Sequence, residues 1–230
     1  NVVPERMIMQ LLFPEGGDCG ITITANGVDY TYDYDPGDVW KTNNYTALTT
    51  TALWTAPTTA DPFAAFKTVK DAIRSSTGDE LTIAIMNTYT FNLMAATDAV
   101  KNRYLTTNGL SLGYLTDTEV KAIVEATSGL RIAIYDKQYK DESGTAHSFV
   151  PDGYVCLIPA GNLGNTWYGT TPEEADLQGA SSAEVSIVNT GVAITREIQN
   201  HPVNINTFAS EIVLPSYERM DSVGVLKVIA

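Results

Sequence analysis

Imidazole is the side chain that titrates near neutral pH, so the histidines are the first place to look for catalysis. There are two, His147 beside Ser148 and His201 ahead of Pro202. A zinc site needs several His or Cys at short spacing, as in H-x-x-x-H or C-x-x-C, and neither spacing occurs. Both histidines read as surface or hydrogen-bonded residues. A G-x-S-x-G nucleophile elbow is absent as well. Cys156 lies inside the apolar run Val155-Cys156-Leu157 and reads as a small buried hydrophobe rather than an activated thiolate. Cys19 is far from it in sequence. Sequence leaves a disulfide between them open, and a reduced chain with buried thiols is the preferred reading. Gly16-Gly17 and Gly161-Asn162-Leu163-Gly164 match neither G-x-x-x-x-G-K-[ST] nor G-x-G-x-x-G, so phosphate binding has little support.

Carboxylates are the remaining chemical resource. Asp29, Asp33, Asp35 and Asp38 cluster in one stretch, and Glu173, Glu174 and Asp176 follow Pro172. Paired carboxylates can hydrolyse glycosidic bonds. Calcium would want D-x-[DN]-x-[DN]-G, which residues 33–38 fit only in part. Asp29, Asp33 and Asp35 alternate with Tyr30, Tyr32 and Tyr34. The acids therefore read as a solvated strand face and the tyrosines as a packed one, although a tyrosine stripe can also bind a sugar or a base. No catalytic, metal or cofactor residue is nominated, and an enzyme is not expected.

The bulk properties narrow the partners. The chain has 230 residues, of which 44% are hydrophobic and 18% charged, an ordinary globular balance. That length suits one large domain or two small ones. Net charge is −13. Such a surface argues against direct grip on a nucleic-acid backbone and makes copies of the chain repel each other. No run approaches the roughly 20 apolar residues of a membrane span.

The elements that must position these residues follow from periodicity. Residues 4–13 read as the end of a helix, with Met7, Ile8, Leu11 and Leu12 on one face. Residues 21–34 read as a hairpin turning at Asn26-Gly27. Residues 41–60, rich in Thr, Asn and Ala, read as a loop or hinge with weak strand content. Asp61-Pro62 starts a helix with Phe63, Phe66, Val69, Lys70 and Ile73 inward, ended by Gly78. Residues 81–86 form a buried strand, followed by one helix whose face holds Leu93, Met94, Thr97, Val100 and Tyr104. Thr116-Asp117 opens the next helix, with Val120, Ile123 and Val124 inward and Gly129 after it. Strands follow at 130–135 and 154–158, a long loop at 161–180, and strands at 185–194, 205–214 and 223–229. The class is α+β, helices in the middle and strands at both ends.

From residue 130 onward the order of several pieces becomes specific. Ile132-Ala133-Ile134-Tyr135 leads through Gln138-Tyr139 and Ser143-Gly144 to Phe149-Val150-Pro151-Asp152, then to an apolar strand, Gly164 and Tyr168-Gly169. Thr195-Arg196-Glu197, the run from Ser210 to Pro215, and Asp221-Ser222-Val223 complete the pattern. This order resembles the lambda-type tailed-phage major capsid (head) protein E family. The resemblance implies the capsid fold shared by tailed phages and herpesviruses: a peripheral domain with a spine helix and a long sheet, and an axial domain with a central sheet flanked by helices. It places peripheral parts at residues 1–50 and 193–230 and the axial domain at 51–192. Family members carry an N-terminal arm, an extended loop and most of the spine helix ahead of the point where this chain opens, so a truncated chain is expected.

The function implied is that of a structural subunit, assembling with copies of itself as pentamers and hexamers around packaged DNA. A decoration protein, a scaffold and a portal are the further partners implied, and the virion is the location, with assembly in the host cytoplasm. The alternatives are an encapsulin-type compartment shell and a secreted carbohydrate-binding or hydrolytic domain built on the tyrosine stripe.

Overall fold

The computed structural model describes residues 2–25, 28–108, 115–141, 143–172, 184–189, 191–200 and 203–230. The expected Asn26-Gly27 turn, His201 and the acids Glu173, Glu174 and Asp176 lie outside the described residues. The chain divides into two compact units, Val2–Leu163 with Arg219–Ala230, and Gly164–Glu218.

In the larger unit, α1 (Val2–Leu12) leads to a hairpin of β1 (Gly20–Ala25) and β2 (Val28–Asp33), then to α2 (Val39–Asn44) and β3 (Tyr45–Ala47). Next come α3 (Pro62–Thr77), β4 (Leu81–Met86), α4 (Thr88–Ala96), α5 (Asp98–Asn108), α6 (Asp117–Ser128) and β5 (Arg131–Ile134). A small hairpin, β6 (Gln138–Lys140) and β7 (Ala146–Ser148), precedes β8 (Tyr154–Pro159). The smaller unit holds β9 (Thr166–Tyr168), β10 (Glu184–Asn189), β11 (Val192–Asn200), β12 (Val203–Glu211) and β13 (Val213–Pro215). The chain then returns to the larger unit with β14 (Gly224–Lys227).

A five-stranded mixed sheet, ordered β3-β14-β8-β4-β5, organises the larger unit. The pairs β14–β3 and β4–β5 are parallel, while β8 runs antiparallel to both β14 and β4. The crossover from β4 to β5 carries α4, α5 and α6, as a parallel connection requires. Ala84 and Met86 of β4, Val155 and Leu157 of β8 and Leu226 of β14 pack with Phe66, Val69 and Ile73 of α3, Met94 of α4, Val100 of α5 and Val120 and Val124 of α6. Burial is what makes β4 and β8 read as apolar runs rather than as alternating strands.

Helix starts follow local chemistry. The Asp61 carboxylate accepts from the Phe63 and Ala64 amides at 3.0 and 3.1 Å, with Pro62 preorganised for the first turn. Thr116 and Glu119 form a capping box, and Gly129 closes α6 at φ 70°.

Several expectations are corrected. The segment 41–60 holds the expected short strand, β3, but also the end of α2 and buried side chains that a loop or hinge does not predict. Trp40 and Trp54 are each 1% exposed, and the Trp40 indole N–H donates to the Met220 and Val223 carbonyls at 3.0 and 3.2 Å. Asn44 Nδ2 reaches the Asp221 and Val223 carbonyls at 2.8 and 2.9 Å. The single helix expected after residue 87 is two, broken at Thr97, a buried residue whose hydroxyl donates to the Met94 carbonyl at 2.7 Å. The stretch 161–180 contains a strand, β9, and the ranges 185–194 and 205–214 each span parts of two strands.

Within the smaller unit, β10, β11 and β12 form an antiparallel meander, and β9 pairs with β13. Gly164 lies where a Cβ would come within 2.1 Å of the Ser216 carbonyl oxygen, a close approach that only glycine permits. Among the described residues, no helix is long and apolar enough to cross a membrane.

Candidate assembly surface

Asp141, Ser143, Thr145 and His147 meet at the tip of the β6–β7 hairpin. His147 Nε2 lies 2.9 Å from Asp141 Oδ2, the Ser143 hydroxyl donates to Asp141 Oδ1 at 2.6 Å, and the Thr145 amide donates to the same oxygen at 2.8 Å. The residue types are those of a hydrolytic triad, but the order is not. In a triad the histidine stands between serine and carboxylate. Here both hand their hydrogen bonds to Asp141, and the serine has no base. The Ser143 hydroxyl, followed by His147 and the Thr145 amide, holds the Asp141 carboxyl well below the usual carboxylate range. The group is an anionic knot that fixes a turn.

The base of the same hairpin meets α1. Glu5 accepts from Tyr135 and from Lys137 Nζ at 2.6 Å, and these hydrogen bonds, Lys137 first, lower the Glu5 pKa. The Arg6 guanidinium lies 4.9 Å from the Tyr139 ring, which stacks on His147 with ring centroids 5.4 Å apart. Arg6 is thereby engaged with an aromatic face rather than presented to a phosphate.

The cysteines and the first acidic cluster are also spent structurally. Cys19 and Cys156 are free and buried. Burial raises both thiols, Cys19 to about 12, so neither is a thiolate at neutral pH. Asp35 is not on a solvated face, as the alternation suggested. It is 9% exposed, and its two oxygens accept from the Val39 and Lys41 amides at 3.0 and 2.9 Å, capping α2. The tyrosines depart from expectation in the other direction: Tyr30 and Tyr32 are 62% and 54% exposed. Ile21 at the root of the ribbon is buried, but the β1–β2 pair is only two strands wide and leaves these two rings uncovered. Exposed tyrosines suit a sugar platform, but Asp33 accepts from the Asp35 amide at 2.8 Å and Asp35 is a buried cap, so that carboxylate pair does not face a cleft. Among the described residues, no three or more His, Cys, Asp or Glu converge as a metal ion would require.

What the chain does offer is surface. Val203 and Ile205 of β12 alternate with Asn204 and Asn206, and Phe208 follows. Val203 is 85% exposed, Ile205 59% and Phe208 54%. On the β9–β13 pair, Trp167 sits opposite Leu214, and they are 63% and 40% exposed. Large apolar side chains gathered in this way on one short unit mark an interaction surface. Sequence reasoning found the strands but not their exposure. Alternation says that a strand has an apolar face, and it says nothing about whether another layer of the same chain covers that face.

Comparison with known proteins gives this surface a context. Residues 3–225 match the family model of phage major capsid protein E. Among solved structures, the chain is similar to a protein assigned as the capsid protein of an E. coli prophage, with a TM-score of 0.67 at 15% identity over 98% of this chain and 62% of that one. It is also similar to a phage-related protein of Bordetella bronchiseptica, with a TM-score of 0.54 at 14% identity and the same coverage. The likeness to an encapsulin of Synechococcus elongatus, TM-score 0.40 at 12% identity, is too slight to bear on the fold. The chain spans 62% of the length of each of these structures. No curated protein matches the sequence. The fold is thus the α+β fold of prophage capsid proteins, and the match over nearly the whole sequence means that the chain belongs to the phage major capsid protein E family.

Proposed function

We propose that the chain is the structural subunit, or the larger part of one, of a phage or prophage head. Copies assemble as pentamers and hexamers into an icosahedral shell around viral DNA, and the protein resides in the virion. The observation that carries this reading is the family match over residues 3–225. The exposed apolar residues of Gly164–Glu218 support it, since a shell subunit needs faces that only neighbouring copies cover. The acidic balance, net −13, suits a wall that does not hold DNA during packaging. The role is structural rather than catalytic. A decoration protein, a scaffold and a portal are the further partners in this reading, and assembly takes place in the host cytoplasm.

The peripheral and axial assignment, 1–50 with 193–230 and 51–192, belongs to the same proposal. It concerns places in a shell, whereas the two contact units describe a single copy. Negative-stain microscopy of the expressed protein tests the proposal. Rings or closed shells are expected, and a monomer at every concentration overturns it.

A further inference from the structure

Copies of a chain with net charge −13 repel each other, so they must meet where charge is absent. The strand β12, Val-Asn-Ile-Asn-Thr-Phe-Ala-Ser-Glu, is such a place, because its one ionisable side chain is Glu211 at the end. Among the described residues it is also an edge strand, paired with β11 on one side in the order β10-β11-β12. Natural edges are usually blunted by lysine, proline, a bulge or brevity. This strand is nine residues long, carries neither Lys nor Pro, and pairs with β11 in unbroken register from Val203 to Glu211. An edge left open in this way is a template for another strand.

We infer that β12 pairs antiparallel with β12 of a second copy about a two-fold axis through Thr207, joining two three-stranded sheets into one. The inference rests on the shell-subunit reading and names one of its contacts. Only centring on Thr207 matches all nine residues: Val203 with Glu211, Asn204 with Ser210, Ile205 with Ala209, Asn206 with Phe208, and Thr207 with itself. The two Glu211 carboxylates then stand at opposite ends, each beside a valine, so no like charges face each other. Ile205 gains Ala209 of the second copy as its cross-strand neighbour, and Ala209 already neighbours Ile194 of β11, so the apolar row continues across the axis. The threonine pair at the centre is a favourable cross-strand match.

Thr207→Cys tests the register, because it places two thiols on the axis at an antiparallel Cα separation of about 4.5–5.5 Å, within reach of a disulfide. Thr207 is exposed, so the substitution leaves the fold alone, and the buried Cys19 and Cys156 stay out of the reaction. Under mild oxidation the expected result is a reductant-sensitive dimer on a denaturing gel. Ile205→Cys alone should give about tenfold less, because its partner is Ala209, and mixing Ile205→Cys with Ala209→Cys chains should restore the yield. Microscopy of the same samples separates the two failures. Shells without a Thr207→Cys dimer overturn the edge pairing and leave the shell reading standing. A dimer without shells keeps the pairing and overturns the shell reading. Neither shells nor dimer overturns both.

Discussion

In the larger unit, Trp40, Trp54, Phe66 and Phe91 are at most 1% exposed, while in Gly164–Glu218 the apolar residues Trp167, Val203, Ile205 and Phe208 leave more than half of their surface open. The difference is one of layers. The mixed sheet of the larger unit has α3, α4, α5 and α6 contributing to one core with it, so the large side chains between these layers are covered within the chain. The described strands of the smaller unit form a three-stranded meander and a two-stranded pair. Thin sheets of this kind bury one face at best. One unit therefore packs its large side chains between layers, and the other leaves large apolar side chains open.

The largest expected effect that could break this contrast comes from Phe66→Ala. Phe66 is fully buried, so its truncation should cost about 3–5 kcal/mol of folding stability in denaturant unfolding. Ile205→Ser should stay within about 0.5 kcal/mol in the same assay while reducing the yield of assembled particles. Equal losses for the two would mean that the smaller unit has a core of its own.

Tight glycines provide the next test. A Cβ at Gly153, which sits at φ 75°, would lie 2.2 Å from Ile229 Cγ1, so Gly153→Ala should cost about 1–3 kcal/mol and lower the main thermal transition. Gly164→Ala meets the Ser216 carbonyl instead. It should loosen the β9–β13 pair and speed amide hydrogen exchange there, with the protection of β4 and β8 unchanged. If both substitutions lower one common transition equally, the two units do not unfold separately.

Acid titration gives a smaller signal, confined to the larger unit. The Ser222 hydroxyl, then Arg219 with its Nη2 at 2.8 Å, hold Asp79 below its ordinary 3.8. A carboxyl lowered in the folded state stabilises above its unfolded pKa, and the contribution is lost as pH falls through the folded value. Asp79→Asn should therefore lower stability modestly at neutral pH, where the carboxylate's contribution is present, and bring the two proteins together on acidification below 3.8, where the wild type loses it. A melting curve repeated at pH 7 and in that acid range checks this.

The sequence made some elements legible because their causes are local. Asp61-Pro62 and the Thr116–Glu119 box act within a single turn, and the Leu81 and Tyr154 strands betray themselves by uninterrupted apolar runs. The segment 41–60 was opaque for the opposite reason. Trp40 and Asn44 find their partners at Met220, Asp221 and Val223, across nearly the whole chain, and no window of neighbours encodes that. Asp35 misled because strand alternation assigned it to solvent, whereas its place just ahead of α2 made it a cap. The exposed faces were half legible: the expected strand at 205–214 overlaps β12, and what covers an apolar face is a property of tertiary and quaternary packing.

The position of β14 sets a timetable. It lies between β3 and β8 in the five-stranded sheet, although residues 224–227 are made after both of its neighbours. Until they emerge, β3 has no neighbour to hold it, and Trp40 and Asn44 wait for carbonyls that have not been made. Gly164–Glu218, with its open edge and apolar faces, is by then fully translated. Nascent chains crowded on one messenger therefore carry a sticky module before the sheet of the larger unit is complete, which places the hazard of premature association in the interval before β14 emerges.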